Sequence, residues 1–383
     1  PYFTTVSPNG PQFTGNYSLW TINEYPADHY GLVIVNHGDG FSGTSVDEHS
    51  GSDWLSVKET EAALMGISPK PDLIYMDACL MATVDSAYQL VNEASYYIAS
   101  ESIVWLPKRL GDFITGMPGH LSEVPPIRSD TSPYALARSI AKSYALQARF
   151  WRGGTLPSTI SVIDLSEIPS VADSASNLAN QLRSRMPGII LTLTGIWQDA
   201  QRFDSFSLDG HPDVIDIFDP AADLRDFAEL VQIRVNDSEV DAAAGNLISA
   251  IDRAVVFNEA WSGYPLGKDF YWYHGNANGL SVFLPGMWRP CYYTGDWLDF
   301  ASGANWNCRG RTSGETKGES TTSSTTFGWG PMLVEYLDQT NPSAPEILDP
   351  PAPIPMATYY SVYLPLVLRN WGSTPPPVPT PTP

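Results

Sequence analysis

Basic residues are scarce in this chain. Of 383 residues only 21 are lysine or arginine, against 42 aspartates and glutamates, for a net charge of −21. Phosphate contacts need clustered cations, so a nucleic-acid partner falls away. A cationic substrate is compatible with this balance, as is an ordinary acidic extracellular surface. Cysteine is scarcer still: Cys79, Cys291 and Cys308. Three thiols build no disulfide scaffold. Cys291 and Cys308 are near enough in sequence to pair in an oxidising compartment, which would leave Cys79 unpaired. No apolar run approaches the ~20 residues of a membrane-spanning helix, and no secretory leader is visible. His120, His211 and His274 show no metal-ligand spacing, and no segment repeats.

What the chain does have is an alternation of short apolar runs and helical patterns. Residues 1–29 are polar and turn-rich with little periodicity, so no regular element is expected before residue 30. Residues 30–35 form a β-branched run that reads as a buried strand and ends in Asn36-His37-Gly38-Asp39-Gly40. Residues 41–53 read as an exposed loop. Ser56 with Glu59 three residues later predicts a capped helix reaching Met65. A second strand, Leu73 to Met76, stops at Asp77-Ala78-Cys79, and helical spacing follows to about Glu93. Residues 96–100 give a third strand, 132–149 a helix, 159–163 a strand and 170–185 an amphipathic helix. Residues 186–275 read as mostly helical, most clearly 224–231 and 242–256, and 279–284 as a strand. Strands alternating with helices predict an α/β fold: a mostly parallel sheet flanked by helices, with a mainly helical C-terminal region and a Pro-rich tail.

Parallel strands put their carboxyl ends on one rim, where open α/β sheets place their chemistry. His37 and Cys79 both occupy such ends. A thiol and an imidazole on one rim are the minimum for nucleophilic acyl transfer, and a helix N-terminus after Cys79 would favour its thiolate. Each residue also has a plainer reading. Cys79 fits a buried structural cysteine, His37 a structural histidine, Asp77 a helix N-cap and Asp112 an ordinary turn residue. Asp39, Asp47, Glu48 and Asp53 form an acidic stretch without the spacing of an EF-hand, which reads as a solvated loop. The aromatic run from Phe270 to His274 reads as core packing.

Several blocks in order carry a more specific signal. Residues 25–40, with Asn36-His37-Gly38-Asp39-Gly40 at their end, are followed by Met76-Asp77-Ala78-Cys79-Leu80-Met81 and Ala99-Ser100-Glu101, then by residues 160–166, 255–258 and 278–283. In this order they resemble the clostripain-like cysteine endopeptidases, within the clan that holds caspases, legumains and gingipains. The resemblance implies a caspase-like fold, with His37 as catalytic histidine and Cys79 as nucleophile. It further implies Gly38 and Cys79 as oxyanion N–H donors and Asp77 as an acid of the S1 pocket, giving cleavage after Arg or Lys. A second S1 acid is expected after Glu101, and Asp112 is the candidate, although residues 103–111 depart from the family's usual Pro-Gly-x-Gly-Trp segment. Relatives are often activated by cleavage between the two catalytic blocks. Lys58 and Lys70 are the basic residues there, and Pro71 makes Lys70 a poor scissile site, leaving Lys58. The family's strand and helix upstream of the histidine strand are not expected here. Calcium enters only through the resemblance, and the chemistry itself requires no cofactor.

The expected organisation is a peptidase domain over 1–310, a Ser/Thr-rich loop or linker with the end of the domain over 311–341, and a Pro-rich tail over 342–383. The tail's short apolar segment, 359–368, suits a docking strand or a sorting and anchoring element. The function expected is a secreted or cell-surface cysteine endopeptidase acting on proteins or peptides with basic residues. The rival reading is a non-catalytic adhesion or binding module on a peptidase-like scaffold.

Overall fold

Leu32 and Ile34 face one side of their strand and Val33 and Val35 the other, and all four are buried. The next strand repeats the pattern, with Ile74 and Met76 on one side and Leu73 and Tyr75 on the other. Side chains alternate along a strand, so two apolar faces require a layer on each side. The computed structural model supplies both. It describes residues 11–40, 43–47, 53–105, 131–149, 155–204, 215, 219–265, 268, 270–284, 328–340 and 366–369.

In chain order the elements are α1 (Pro11–Glu24), β1 (Tyr30–Val35), β2 (Thr44–Asp47), β3 (Asp53–Leu55), α2 (Val57–Leu64), β4 (Leu73–Asp77), α3 (Val84–Gln89) and β5 (Tyr96–Ala99). There follow α4 (Pro133–Arg149), β6 (Ser158–Asp164), α5 (Ile168–Asp199), β7 (Arg202–Phe203), β8 (Ala221–Asp223), α6 (Leu224–Arg234), α7 (Ser238–Ala254), β9 (Val255–Trp261), β10 (Ser281–Phe283), α8 (Trp329–Thr340) and β11 (Leu366–Arg369). Six strands form the main sheet in the order β11-β1-β4-β5-β6-β9. The three central strands are parallel, β6 reverses, β9 returns to the common direction, and β11 pairs antiparallel with β1. Leu136, Ile140 and Tyr144 of α4 cover one face. Helices α2, α3, α5 and α7 fill the other, through residues such as Leu64, Ala87, Leu178 and Leu247. This is the α/β arrangement expected, a mostly parallel sheet between helices.

Several local expectations are revised. Residues 11–24 are helical, although nothing in their periodicity announced it. Gly15 explains why: a Cβ there would lie 2.8 Å from the Ala63 carbonyl oxygen, so α1 crosses α2 almost backbone to backbone. Tertiary packing, rather than an apolar stripe, holds that helix. Residues 44–47 and 53–55 form a two-stranded hairpin where an exposed loop was expected, entered through Gly43 at φ +114°. Helix α5 runs past Pro187 to Asp199, because Leu193, Ile196 and Trp197 continue its buried face. Trp197 stacks on Tyr336 of α8, with ring centroids 3.8 Å apart, so α8 shares this core. Helix α7 stops at Ala254, and Val255-Val256-Phe257 begins β9, as β-branched and aromatic residues favour. Leu366–Arg369 of the tail lies against β1. No helix among the described residues is long and apolar enough to cross a membrane.

The predicted start of α2 is found as a complete capping box. The Ser56 hydroxyl accepts from the Glu59 N–H and the Glu59 carboxylate accepts from the Ser56 N–H. Ser56→Ala removes one of these two bonds and should cost about 1 kcal/mol of stability. The denaturation midpoint in urea reads this directly, and an unchanged midpoint would show the cap to be replaceable by water.

Candidate active site

The register of β1 on β4 sets the site. Val35 pairs with Asp77, so His37 and Cys79 each lie two residues beyond a matched position, on strands that neighbour each other. The Asn36 N–H donates to the Asp77 carbonyl at 3.3 Å, which extends the pairing one step past β1. Gly38 then touches the Cys79 turn. A Cβ on Gly38 would lie 2.4 Å from the Cys79 carbonyl oxygen and 2.9 Å from the Cys79 nitrogen, so only glycine fits this approach. The His37 carbonyl is fixed from the other side by the Thr44 hydroxyl at 2.9 Å and the Ser45 N–H at 3.0 Å, both from β2.

The Cys79 turn is strained and tightly held. Leu80 has φ +63°, a left-handed conformation that costs a non-glycine residue about 1–2 kcal/mol. Four hydrogen bonds offset that cost. Leu80 N–H donates to the Ser102 carbonyl at 3.1 Å, Ala82 N–H to Ser100 at 2.9 Å, and the Tyr97 hydroxyl to the Met81 carbonyl at 2.8 Å. Ser281 N–H donates to the Ala82 carbonyl at 2.8 Å. The Leu80 side chain is anchored among Phe203, Ala221 and Ala277. The helix expected directly after Cys79 is shorter and later. Helix α3 has six residues and starts at Val84, capped by the Thr83 hydroxyl. Cys79 is therefore not at a helix N-terminus, and Asp77 is not a helix cap but the last residue of β4.

The thiol environment follows from this. Val104 N–H donates to Cys79 Sγ at 3.4 Å, and Gly38 N–H also points at the sulfur. Burial pushes the thiol up to about 11, the Asp77 and Asp39 carboxylates push the same way, and the two N–H donors oppose them only in part. The resting group is a neutral thiol, the reverse of what a helix N-terminus would have produced.

Asp77 is fully buried. Burial, and then the charge of Asp77, raise Tyr75, two residues earlier on the same side of β4, well above the usual phenol range. Burial also raises Tyr144 of α4, with Asp77 and Cys79 adding to the effect, while the Trp105 N–H donates to its hydroxyl at 3.3 Å. Asp112, like Cys291, Cys308, Glu48, His120 and His211, lies outside the described residues. Lys58 sits in the first turn of α2, so reaching its backbone requires that turn to unwind. Lys70 is tied to the Leu64 carbonyl at 3.1 Å and ion-paired with the buried Glu93. Asp39 is buried, its N–H on the Gly43 carbonyl at 2.9 Å, and Asp47 pairs with Asp53 across the β2–β3 hairpin. Among the described residues no group of three or more His, Cys, Asp or Glu is placed to hold a metal ion. In the aromatic run, Trp272 and His274 are buried while Tyr271 and Tyr273 are more than half exposed, so the core-packing expectation holds for alternate residues.

Sequence reasoning missed the loop after β5. Residues 100–104 receive the Cys79 turn, and their order depends on Thr159, whose hydroxyl accepts from both Glu101 N–H (2.9 Å) and Ser102 N–H (3.0 Å). Glu101 was visible only as part of a block, with no role. A charged residue directly after a buried apolar strand was the signal available, since such a residue needs a partner. The partner, Asp223, is 122 positions downstream and could not be read from spacing.

Residues 15–297 match the sequence model of the clostripain family. Clostripain of Hathewaya histolytica is 23% identical over 367 residues, covering 83% of this chain and 67% of that protein. The X-ray structure of a secreted C11 cysteine protease from Bacteroides thetaiotaomicron, solved with an irreversible peptide inhibitor, superposes with a TM-score of 0.54 at 22% identity, covering 78% of each chain.

A thiol raised to about 11 is almost wholly protonated at neutral pH, and its thiolate fraction climbs about tenfold per pH unit below that value. Cys79 in the folded protein should therefore react with iodoacetamide much more slowly at neutral pH than in the urea-unfolded chain, and faster as pH rises. Mass spectrometry of the Cys79 peptide measures both rates; rapid, pH-independent labelling of the folded protein would contradict the neutral thiol.

Proposed function

The chain belongs to the clostripain family and is a cysteine peptidase, and from that premise we propose that Cys79 and His37 perform the chemistry and that cleavage follows arginine or lysine. The observation that supports the assignment is the β1–β4 register: His37 and Cys79 each follow a matched pair of residues by two positions, and Gly38 packs against the Cys79 backbone. In the proposed reaction the Cys79 thiol passes its proton to the His37 imidazole as its sulfur attacks the carbonyl carbon of the scissile peptide. The N–H groups of Gly38 and Cys79 stabilise the oxyanion, and Gly38 N–H is already directed at the sulfur in the resting site. His37 protonates the departing amine, the C–N bond breaks, and a thioester remains on Cys79. Water then attacks the thioester carbonyl, giving up a proton as the free acid leaves and the thiol is restored. No cofactor enters any of these steps.

Asp77 is the proposed basis of specificity. A guanidinium or ammonium desolvated in a pocket needs a paired carboxylate, and Arg meets one in a fork of two hydrogen bonds. The Asp77 charge also raises the Cys79 thiol. A substrate cation against Asp77 would cancel that repulsion, so binding the right residue would also ease deprotonation of the nucleophile. Asp112 is proposed as the second acid of this pocket. The named relatives and the acidic composition support a secreted or surface enzyme acting on proteins or peptides with basic residues, with the Pro-rich tail serving sorting or anchoring.

Cys79→Ala and His37→Ala should each abolish hydrolysis of an arginyl peptide substrate; turnover surviving in either variant would sink the assignment. For Asp77→Ala, the kcat/KM for arginyl substrates should fall by roughly thirtyfold or more, because truncating one partner of a buried charge pair costs about 2–5 kcal/mol. If the preference for arginine over norleucine at the cleaved position is unchanged, Asp77 does not line the pocket.

A further inference from the structure

The carboxyl groups of Glu101 and Asp223 are both fully buried and are held by neighbouring backbone donors, Glu101 by the Gly279 N–H and Asp223 by the Asn278 N–H. Two carboxylates cannot share a dry site, so one proton lies between them. The surrounding donors decide where it sits. Asp223 accepts from Asp226 N–H at 2.6 Å, Asn278 N–H at 2.5 Å and the Asn278 side-chain amide at 3.0 Å, which makes it the carboxylate. Glu101 accepts the Gly279 N–H at 2.8 Å, with the Leu280 N–H also directed at it, and is raised by burial and by the neighbouring Asp223, which makes it the protonated partner.

This pair stands at a junction. Glu101 lies between Ser100 and Ser102, whose carbonyls hold Ala82 and Leu80 of the Cys79 turn, and three residues before Val104, whose N–H touches the sulfur. Its Oε2 partner Gly279 lies two residues before Ser281, which grips the same turn through Ala82. Gly279 has φ +96° and is packed against Ser161 and Asn258, and the Ser161 hydroxyl donates to its carbonyl at 2.7 Å, so this side of the junction is rigid. We propose that Glu101 is a positioning residue for Cys79: the proton it shares with Asp223 fastens the loop of residues 100–104 to the 278–281 segment and thereby fixes the nucleophile turn from both sides.

The titratable groups facing the pair from its neighbours are few. Asp226 of α6 is occupied by the Gln201 N–H at 2.7 Å. His274, beside Ser102 at 3.4 Å, is held down to about 4 by burial and is neutral over the working range. Arg202, opposite Ala222 in the β7–β8 ladder, donates to the backbone carbonyls of Trp197, Asp219 and Leu284. Burial, and then the neighbouring Asp223, raise Glu101 well above its ordinary value of 4.5. The folded chain thus keeps a proton that the unfolded chain has released. Its stabilising effect is complete below the unfolded value and is lost as pH rises toward the folded one.

Glu101→Gln tests the idea without removing the bonds. Its amide N–H can donate to Asp223 and its carbonyl accept from Gly279, yet it does not titrate. The melting temperature of Glu101→Gln minus that of the wild type should increase as pH is raised from about 5 to about 9, where an untitrated structural contact would give a constant difference. The variant should keep kcat/KM for an arginyl peptide within about threefold of wild type near pH 6 and hold its activity further into the alkaline range, while Glu101→Ala should lose at least about tenfold throughout. A pH-independent melting difference, coincident alkaline limbs, or a Glu101→Gln variant as impaired as Glu101→Ala would each overturn the proposal. The inference rests on Cys79 as nucleophile, and the two fail separately. Activity persisting in Cys79→Ala would refute that assignment, whereas the melting difference reads the shared proton whatever the nucleophile is.

Discussion

Everything at this site depends on the close approach of two backbones, Gly38 at the end of one strand against Cys79 at the end of the next. Two neighbouring parallel strands lie about 4.8 Å apart, and the residues that follow matched positions on β1 and β4, His37 and Cys79 among them, share one rim. The sheet fixes that separation before any side-chain preference acts. What the loops add is direction: the β2 hairpin holds the His37 carbonyl, and the loop after β5 holds the Cys79 turn. The framework that holds both turns is built mainly from backbone groups.

The energetic character of the site is that of a poised, uncharged centre. Cys79 is surrounded by carboxyl groups, Asp77 and Asp39 nearby and the Glu101–Asp223 pair behind the loop, in a chain with twice as many acids as bases. Such surroundings disfavour a resting thiolate. In the proposed reading they favour a substrate that brings positive charge, so that selectivity and activation would draw on the same electrostatics. The strained φ of Leu80 belongs to the same design, since a turn that must present a sulfur at a fixed angle cannot relax into a helix.

How much of this the sequence showed differs by element. The apolar runs of β1 and β4, each ending in a small-residue turn with His37 or Cys79, were legible because burial on both faces leaves an unbroken pattern. The Ser56–Glu59 cap was legible because it is local. Helix α1 was not, because Gly15 serves a contact with α2 that only the fold creates. The start of α3 was misjudged because Ala82 and its neighbours are apolar at helical spacing yet are held in a turn by Ser100, Ser102 and Ser281. The acid pairing of Glu101 was hidden for the same reason: its partner is distant in sequence and its proton is a consequence of burial. Local chemistry could be read; chemistry created by long-range contact could not.

The order of strands in the sheet has one further consequence. From β1 through β4, β5, β6 and β9 the spatial order follows the order along the chain. A polypeptide emerging from its N-terminal side can lay each of these strands beside one already in place. The rim that carries His37 and Cys79 is thus among the first parts able to form. The exception is β11, which meets β1 from the far end of the chain. Until it arrives, the newest strand grows one border of the sheet while the oldest leaves the other open, so the timing of synthesis itself decides how long that border is exposed.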